Sequence, residues 1–157
     1  MNSSNPIPSY ADVCAQRRLV LVDIENAARG ATTSIDHVRA LRVEISHALD
    51  LGAWDQVIVG CSHYSLVSAK LGWPEARFVV RSGPDGADLA LLEELARVDT
   101  SRFAELALVS GDHFFAPAIA AAELPTTVLS HRTSLSTQLR LAANHVRLLS
   151  TRQPVAA

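Results

Sequence analysis

The sequence LVLVDI at residues 19–24 decides the fold class, because it is an apolar run interrupted only by Asp23. Its length suits a strand, and it lacks the alternation typical of a strand with one face in water. Similar runs follow: QVIVGC from residue 56, RFVV from 77, ELALVS from 105, TTVLS from 126 and HVRLL from 145. Short continuous apolar runs of this kind are typical of strands buried on both faces, so the sequence predicts a parallel sheet covered by helices.

Segments with helical periodicity separate these runs. In residues 34–49, apolar side chains recur every three or four positions, Ser34 is a suitable N-cap, and Gly52 follows the segment. Further helices are predicted at residues 65–71, 86–98, 114–123 and 135–143. The order βαβαβαβαβαβ indicates an α/β fold, a three-layer αβα sandwich with a doubly wound parallel sheet of five to six strands.

The length of 157 residues fits one domain with a sizeable core. We assign that domain to residues 17–150. Residues 1–16 are predicted to be a flexible N-terminal arm and residues 151–157 a C-terminal tail, because both are rich in small and polar residues and in proline.

Composition excludes several classes of protein. A formal net charge of −2 excludes a globally basic nucleic-acid binder, although a local cationic rim is compatible with it. No apolar run approaches the roughly 18 residues that a membrane span needs, and the first residues do not resemble a signal peptide. Cys14 and Cys61 have no disulfide-like or metal-like spacing. We therefore expect a cytoplasmic protein without a membrane partner.

Four aspartates are predicted at the carboxyl edge of the sheet, where open parallel sheets bind ligands. Asp23 ends the first strand, Asp112 follows the fourth, and Asp85 and Asp88 open the helix after the third. The last three could simply cap helices, whereas Asp23 must be paired, hydrogen-bonded or metal-bound to offset its desolvation. Converging carboxylates repel one another unless a hard cation such as Mg²⁺ or Mn²⁺ joins them. Asn26 could hold a carboxylate or a water, or cap the next turn.

Three motifs carry a resemblance to a known family. They resemble the D-x-x-N, G-A-D and S-G-D-x-D-F-x-P motifs of NYN domains, in the same order and at similar spacing. The matching stretches are VDIEN at residues 22–26, GADLALLEEL at 86–95 and LVSGDHFFAPAI at 108–119. The similarity extends over about residues 19–149.

NYN domains are similar to PIN nucleases, so the resemblance implies a PIN-like fold and a metal-dependent endoribonuclease that hydrolyses the phosphodiester bonds of RNA. It implies that Asp23, Asp88 and Asp112 hold Mg²⁺ or Mn²⁺, with Asn26 beside them in the catalytic site and Asp85 as an additional acid. Small PIN-like nucleases often pair, which suggests a homodimer. No organic cofactor is expected.

Two positions depart from the family pattern. Phe114 stands where the family usually has a second aspartate, and Asn144 stands where an aspartate often precedes the last strand. Losing the first acid favours one bound ion over two. It also leaves open the alternative of a catalytically weakened domain that binds RNA or a protein.

Two arginines could form a cationic rim. Arg81 ends the third strand and Arg132 follows the fifth, so both could contact RNA phosphates, although each could equally be an ordinary solvated side chain. Other functions have weaker support. The loop DIENAARG lacks both nucleotide-binding glycine patterns, and an aspartyl phosphatase would have D-x-D where this chain has Asp23 and Glu25.

Overall fold

A computed structural model describes residues 7–32 and 34–150. The strands are β1 (Arg18–Asp23), β2 (Gln56–Cys61), β3 (Arg77–Val80), β4 (Glu105–Val109), β5 (Thr126–Ser130) and β6 (His145–Leu148). The α-helices are α1 (Tyr10–Gln16), α2 (Ile24–Ala28), α3 (Ile35–Leu49), α4 (His63–Gly72), α5 (Gly86–Arg97), α6 (Ala116–Ala121) and α7 (Thr137–Ala142). Short 3₁₀ turns occur at Thr100–Arg102 and His113–Phe115.

The strands form one six-stranded sheet in the order β3-β2-β1-β4-β5-β6, and every neighbouring pair is parallel. The predicted α/β class and doubly wound parallel sheet are confirmed. The chain builds outward from β1 in one direction and then from β4 in the other. The strand order therefore reverses between β1 and β4, where sheets of this type bind ligands beyond their carboxyl ends.

The two faces of β1 belong to two separate hydrophobic cores. Val20 and Val22 pack into a core covered by α2, α3 and α4, whereas Leu19 and Leu21 pack into a core covered by α5, α6 and α7. All four side chains are fully buried. Burial on both faces explains the absence of polar alternation in LVLVDI, and the helices on each side complete the predicted three layers.

The predicted long helix forms with the predicted cap. The Ser34 hydroxyl accepts a hydrogen bond from the backbone N–H of His37 at 3.3 Å, and α3 ends at Leu49 with Asp50 in the left-handed conformation. Val38 and Ile45 are among the residues that point from this helix into the core.

The structure differs from the prediction in two segments. The supposed loose arm contains α1, whose N-cap Ser9 exchanges hydrogen bonds with Asp12 in a capping box, although this helix buries no side chain. The connection from β1 to β2 contains two helices rather than one, because the short α2 begins directly after Asp23. The first part of the predicted arm, residues 1–6, and the tail at residues 151–157 lie outside the described residues.

None of the helices in the described ranges combines the length and the apolar character that a membrane crossing requires.

Candidate active site

An open cleft of about 200 Å³ lies at the carboxyl edge of the sheet, beyond the ends of β1 to β4. All four predicted aspartates contribute to its wall. The lining residues are Asp23, Glu25, Asn26, Ser62, Arg81, Gly83, Asp85, Gly86, Ala87, Asp88 and Asp112. The topology therefore brings together acids that are far apart along the chain.

Asp23 forms the buried floor of the cleft. It is the last residue of β1 and only 4% exposed. Its Oδ1 accepts a hydrogen bond from the Asn26 backbone N–H at 3.1 Å, and its Oδ2 accepts one from Ser110 Oγ at 3.3 Å. Burial raises the pKa of Asp23, and hydrogen bonds from Asp88, Asn26 and Ser110 offset this only in part. Asp23 thus caps α2 and also faces the cleft.

Asp88 meets Asp23 from the first turn of α5. Asp88 is 8% exposed, and the two carboxyl groups are in hydrogen-bonding contact. Burial, the contact with Asp23 and the charges of Asp112 and Asp85 raise the pKa of Asp88 to about 8. Near neutral pH, Asp88 therefore keeps its proton. Its buried Oδ1 has no hydrogen-bond partner within the described part of the chain.

Gly60 explains how α5 comes close enough for this contact. In the sheet register Gly60 of β2 lies beside Asp23. A Cβ atom at Gly60 would lie only 2.6 Å from Leu91 Cγ and 3.1 Å from the Ala87 carbonyl oxygen, both on α5. The missing side chain thus allows the first turns of α5 to pack directly on the strand, which places Asp88 against Asp23.

We expect Gly60→Ala to destabilise the protein by about 2 kcal/mol, because Leu91 is fully buried and cannot move aside without repacking. Urea unfolding should show the loss. Gly52→Ala is the matched control, since a Cβ there meets only Asp55 Oδ2 at an ordinary 3.8 Å. Equal stability of the two variants would contradict the close packing of α5.

Asp112 also lines the cleft, and it caps a turn as well. Its Oδ1 accepts a hydrogen bond from the Phe114 backbone N–H at 3.0 Å and lies 3.1 Å from His113 Nδ1. Its own backbone N–H donates to Ser110 Oγ at 3.2 Å. Asp112 therefore caps the turn and lines the cleft at the same time.

Asn26 joins two walls of the site. Its side-chain Oδ1 accepts a hydrogen bond from the Gly111 backbone N–H at 3.0 Å. The amide oxygen thus holds the loop after β4 against α2. Ser110, which sequence reasoning missed, makes a second link by bonding both Asp23 and Asp112.

Of the three remaining predicted residues, Asp85 and Arg81 line the cleft and Arg132 does not. Asp85 occupies the N-cap position of α5 with a left-handed φ of 54°, but its side chain makes no capping hydrogen bond, so the predicted cap is wrong. Arg81 lines the cleft, and its Nη1 lies 2.7 Å from Glu93 Oε1 at the surface. Arg132 is exposed and does not line the cleft.

Glu25 is a cleft acid that the sequence analysis did not assign to the site. Its Oε1 accepts hydrogen bonds from the backbone and hydroxyl of Ser62 and from Ser65 Oγ. Burial acts to raise the pKa of Glu25, but these hydrogen bonds outweigh it and hold the pKa below its usual value. The available signal was the position of Glu25 two residues after Asp23, opposite a serine-rich turn after β2.

Asn144 lies at the opposite edge of the sheet from the cleft. Its Oδ1 accepts a hydrogen bond from the backbone N–H of Thr126, the first residue of β5, at 2.7 Å. An aspartate at this position could not reach the carboxyl edge. The family often has an aspartate at this position, but its replacement by Asn144 does not affect the acidic cleft.

The acids are chemically suitable ligands for a divalent cation, although they do not form a complete coordination shell. Within residues 7–32 and 34–150, no three carboxylate, histidine or cysteine side chains are grouped closely enough to hold a metal ion. Asp23 and Asp88 meet, and Asp112 shares their cleft, but one Asp112 oxygen is engaged by its own turn. The unpartnered Asp88 Oδ1 is an oxygen ligand of the kind that Mg²⁺ and Mn²⁺ prefer.

Comparison with known proteins identifies the fold and no more. No protein-family model and no curated protein matches the chain. A solved structure of a protein of unknown function from Vibrio parahaemolyticus is similar, with a TM-score of 0.61 and 14% sequence identity over 87% of this chain and 94% of that chain. At that identity the likeness shows a common α/β fold, and the resemblance to NYN domains stays a prediction.

Proposed function

We propose that this chain is a divalent-metal-dependent endoribonuclease that hydrolyses phosphodiester bonds in its acidic cleft. The observation that carries the proposal is the buried contact between Asp23 and Asp88, with Asp88 Oδ1 left without a hydrogen-bond partner among the described residues. Such a pair destabilises a fold unless a proton or a cation joins the carboxyl groups. Its place at the reversal of strand order is where a ligand is expected.

The charge of the cleft explains why a cation is needed. Among the described residues, five acidic side chains and one arginine line it. A phosphodiester carries a negative charge, so the empty cleft would repel RNA. A divalent ion held by the acids would offset much of that repulsion and offer a direct ligand to the phosphate. The half-exposed Arg81 at the rim could then contact a neighbouring phosphate.

Each residue has a distinct role in the proposed reaction. Asp23 and Asp88 would hold Mg²⁺ or Mn²⁺, and Asp112 would complete the shell or orient the attacking water. Such an ion, when bound, lowers the pKa of water and stabilises charge on the phosphate and the leaving oxygen. Asn26 and Ser110 keep the loop that carries Asp112 in place against α2 and β1.

The second candidate is a domain that binds RNA or a protein without catalysis. Two observations favour it: Phe114 cannot bind a metal ion, and one oxygen of Asp112 is already engaged in the turn. The two candidates differ in a direct way, because only the nuclease needs a divalent ion in the cleft.

We expect Mn²⁺ to raise the melting temperature of the wild type by about 5 to 10 °C at saturating concentration, because the ion binds only the folded state. Asp112→Asn should lose most of this rise, since it removes a charge from the cleft but keeps a side chain that can cap the turn. Differential scanning fluorimetry with Mn²⁺ or chelator measures both shifts.

Asp36→Asn is the matched control for that experiment. Asp36 lies on α3 with 89% of its side chain exposed, and it pairs with Arg39. It should respond to Mn²⁺ as the wild type does. Equal Mn²⁺ shifts in the wild type and Asp112→Asn would argue for the non-catalytic candidate.

A further inference from the structure

The aromatic residues after Asp112 have no part in the proposed hydrolysis. Phe115 is fully buried, whereas its neighbour Phe114 is 46% exposed. The His113 ring stacks on Phe114, with ring centroids 4.5 Å apart and an interplanar angle of 26°. A stacked pair of rings, each about half exposed, thus directly follows a cleft acid, just outside the residues that line the cleft.

Contacts with Asp112 tie the turn that carries these rings to the cleft. Asp112 Oδ1 accepts the backbone N–H of Phe114 and also lies 3.1 Å from His113 Nδ1. One carboxylate that lines the cleft therefore anchors both aromatic residues. The buried Phe115 holds the same turn in the core.

We infer that Phe114, supported by His113, is a stacking platform for an unpaired base of single-stranded RNA next to the phosphate held in the cleft. The inference rests on the proposed nuclease function and names its substrate class. Stacking on an aromatic ring contributes about 1 to 3 kcal/mol per base and tolerates any base, since every base has a π-face. A base inside a duplex has its faces covered, so the platform selects unpaired RNA.

The chemistry of Phe114 also limits what is recognised. A phenyl ring offers neither hydrogen-bond donors nor acceptors, so the platform gives no readout of base edges. The position therefore contributes stacking energy rather than charge. The expected substrate is single-stranded RNA of broad sequence rather than a defined motif.

The test measures binding of a short fluorescent single-stranded oligoribonucleotide by anisotropy, with Ca²⁺ in place of Mn²⁺ and a gel to confirm that the RNA stays intact. Phe114→Leu should raise the Kd about tenfold, the equivalent of one stacked base. Phe114→Trp should stay close to the wild type because it keeps a ring. In Mn²⁺-dependent cleavage, Phe114→Leu should raise KM by a similar factor and change kcat little.

Trp54→Leu is the matched control. Trp54 is 49% exposed, nearly the same fraction as Phe114, but it precedes β2 at the opposite edge of the sheet from the cleft. Its replacement should leave the Kd unchanged. A hairpin duplex of the same length should bind wild type and Phe114→Leu equally, because its bases cannot stack on the ring.

The outcomes separate this inference from the proposed function. A wild type that binds single strands through Phe114 but never cleaves them would overturn the nuclease and leave the platform intact. An unchanged Kd in Phe114→Leu, an equal loss in Phe114→Trp, or no RNA binding by the wild type would overturn the platform.

Discussion

Asp23→Asn is expected to lower Mn²⁺-dependent cleavage of single-stranded RNA by about a thousandfold or more. Removing an outer-shell partner of a metal ligand typically costs about 10- to 100-fold, and a buried ligand should cost more. The substitution keeps the side-chain shape and an acceptor for the Asn26 backbone N–H, and its NH2 group can donate to Ser110 Oγ in place of the present bond. Cleavage of a labelled oligoribonucleotide, with Mn²⁺ or chelator, measures the loss.

The same variant should be at least as stable as the wild type in chelator. Asparagine cannot ionise, so the cost of keeping Asp88 protonated beside the charge of Asp23 falls while the packing is kept. Urea unfolding in chelator tests this directly. The exposed Asp36→Asn serves as the activity control. Cleavage by Asp23→Asn at the wild-type rate would exclude this site, whatever nuclease activity the protein has.

Without metal, the wild type is expected to lose about 2 kcal/mol of stability as the pH rises from 5 to 8. The pKa of Asp88 is about 8 in the folded protein, whereas an unperturbed aspartate titrates near 3.9. Between these values the folded state binds a proton that the unfolded state does not, so stability falls as the pH rises. Asp23 and Asp88 share this titration. The loss of stability is therefore smaller than the whole pKa shift of Asp88 would give.

Asp88→Asn isolates that contribution. The amide does not titrate, so the variant should be more stable than the wild type at pH 8 in chelator and less dependent on pH. Groups whose pKa is lowered, such as Asp55 and Glu25, act below this window and leave the comparison unaffected. Denaturation at a series of pH values gives the result. Parallel pH profiles of the two proteins would show that Asp88 is ionised in the folded state.

Adding Mn²⁺ should counteract this dependence in the wild type. A cation binds the ionised carboxylates and competes with the proton on Asp88, so the gain in melting temperature should increase between pH 5 and 8. Asp88→Asn should show a small gain at every pH. A metal site should thus show stability that falls with pH in chelator and a Mn²⁺-induced gain that rises with pH. A carboxyl pair joined only by a proton would show the first trend without the second.

The sequence alone predicted the strands and their parallel arrangement because burial on both faces leaves a direct signature. Runs such as LVLVDI have no polar face, and the regular steps of apolar residues in α3 allow only a helix that packs on a sheet. The same reasoning placed Asp23, Asp88 and Asp112 at one edge, because the carboxyl ends of parallel strands must lie together.

Local signals failed where another interaction decided the structure. Asp85 is a good N-cap by residue type, but its left-handed backbone leaves its side chain without a capping hydrogen bond. The supposed loose arm contains a helix that forms through its own capping box rather than through burial. Glu25 was not recognised as a cleft residue, despite its position two residues after Asp23, because its partners, Ser62 and Ser65, lie beyond the next strand.

By itself, the sequence determined the fold class and the edge of the sheet at which its acids gather, since both follow from local periodicity and from the direction of parallel strands. Only the tertiary structure decided which acids touch. The contact between Asp23 and Asp88 depends on the close packing of α5 over Gly60, and the side chain of Asp112 is oriented by its own turn. Such contacts depend on distances between elements, which one-dimensional patterns do not encode.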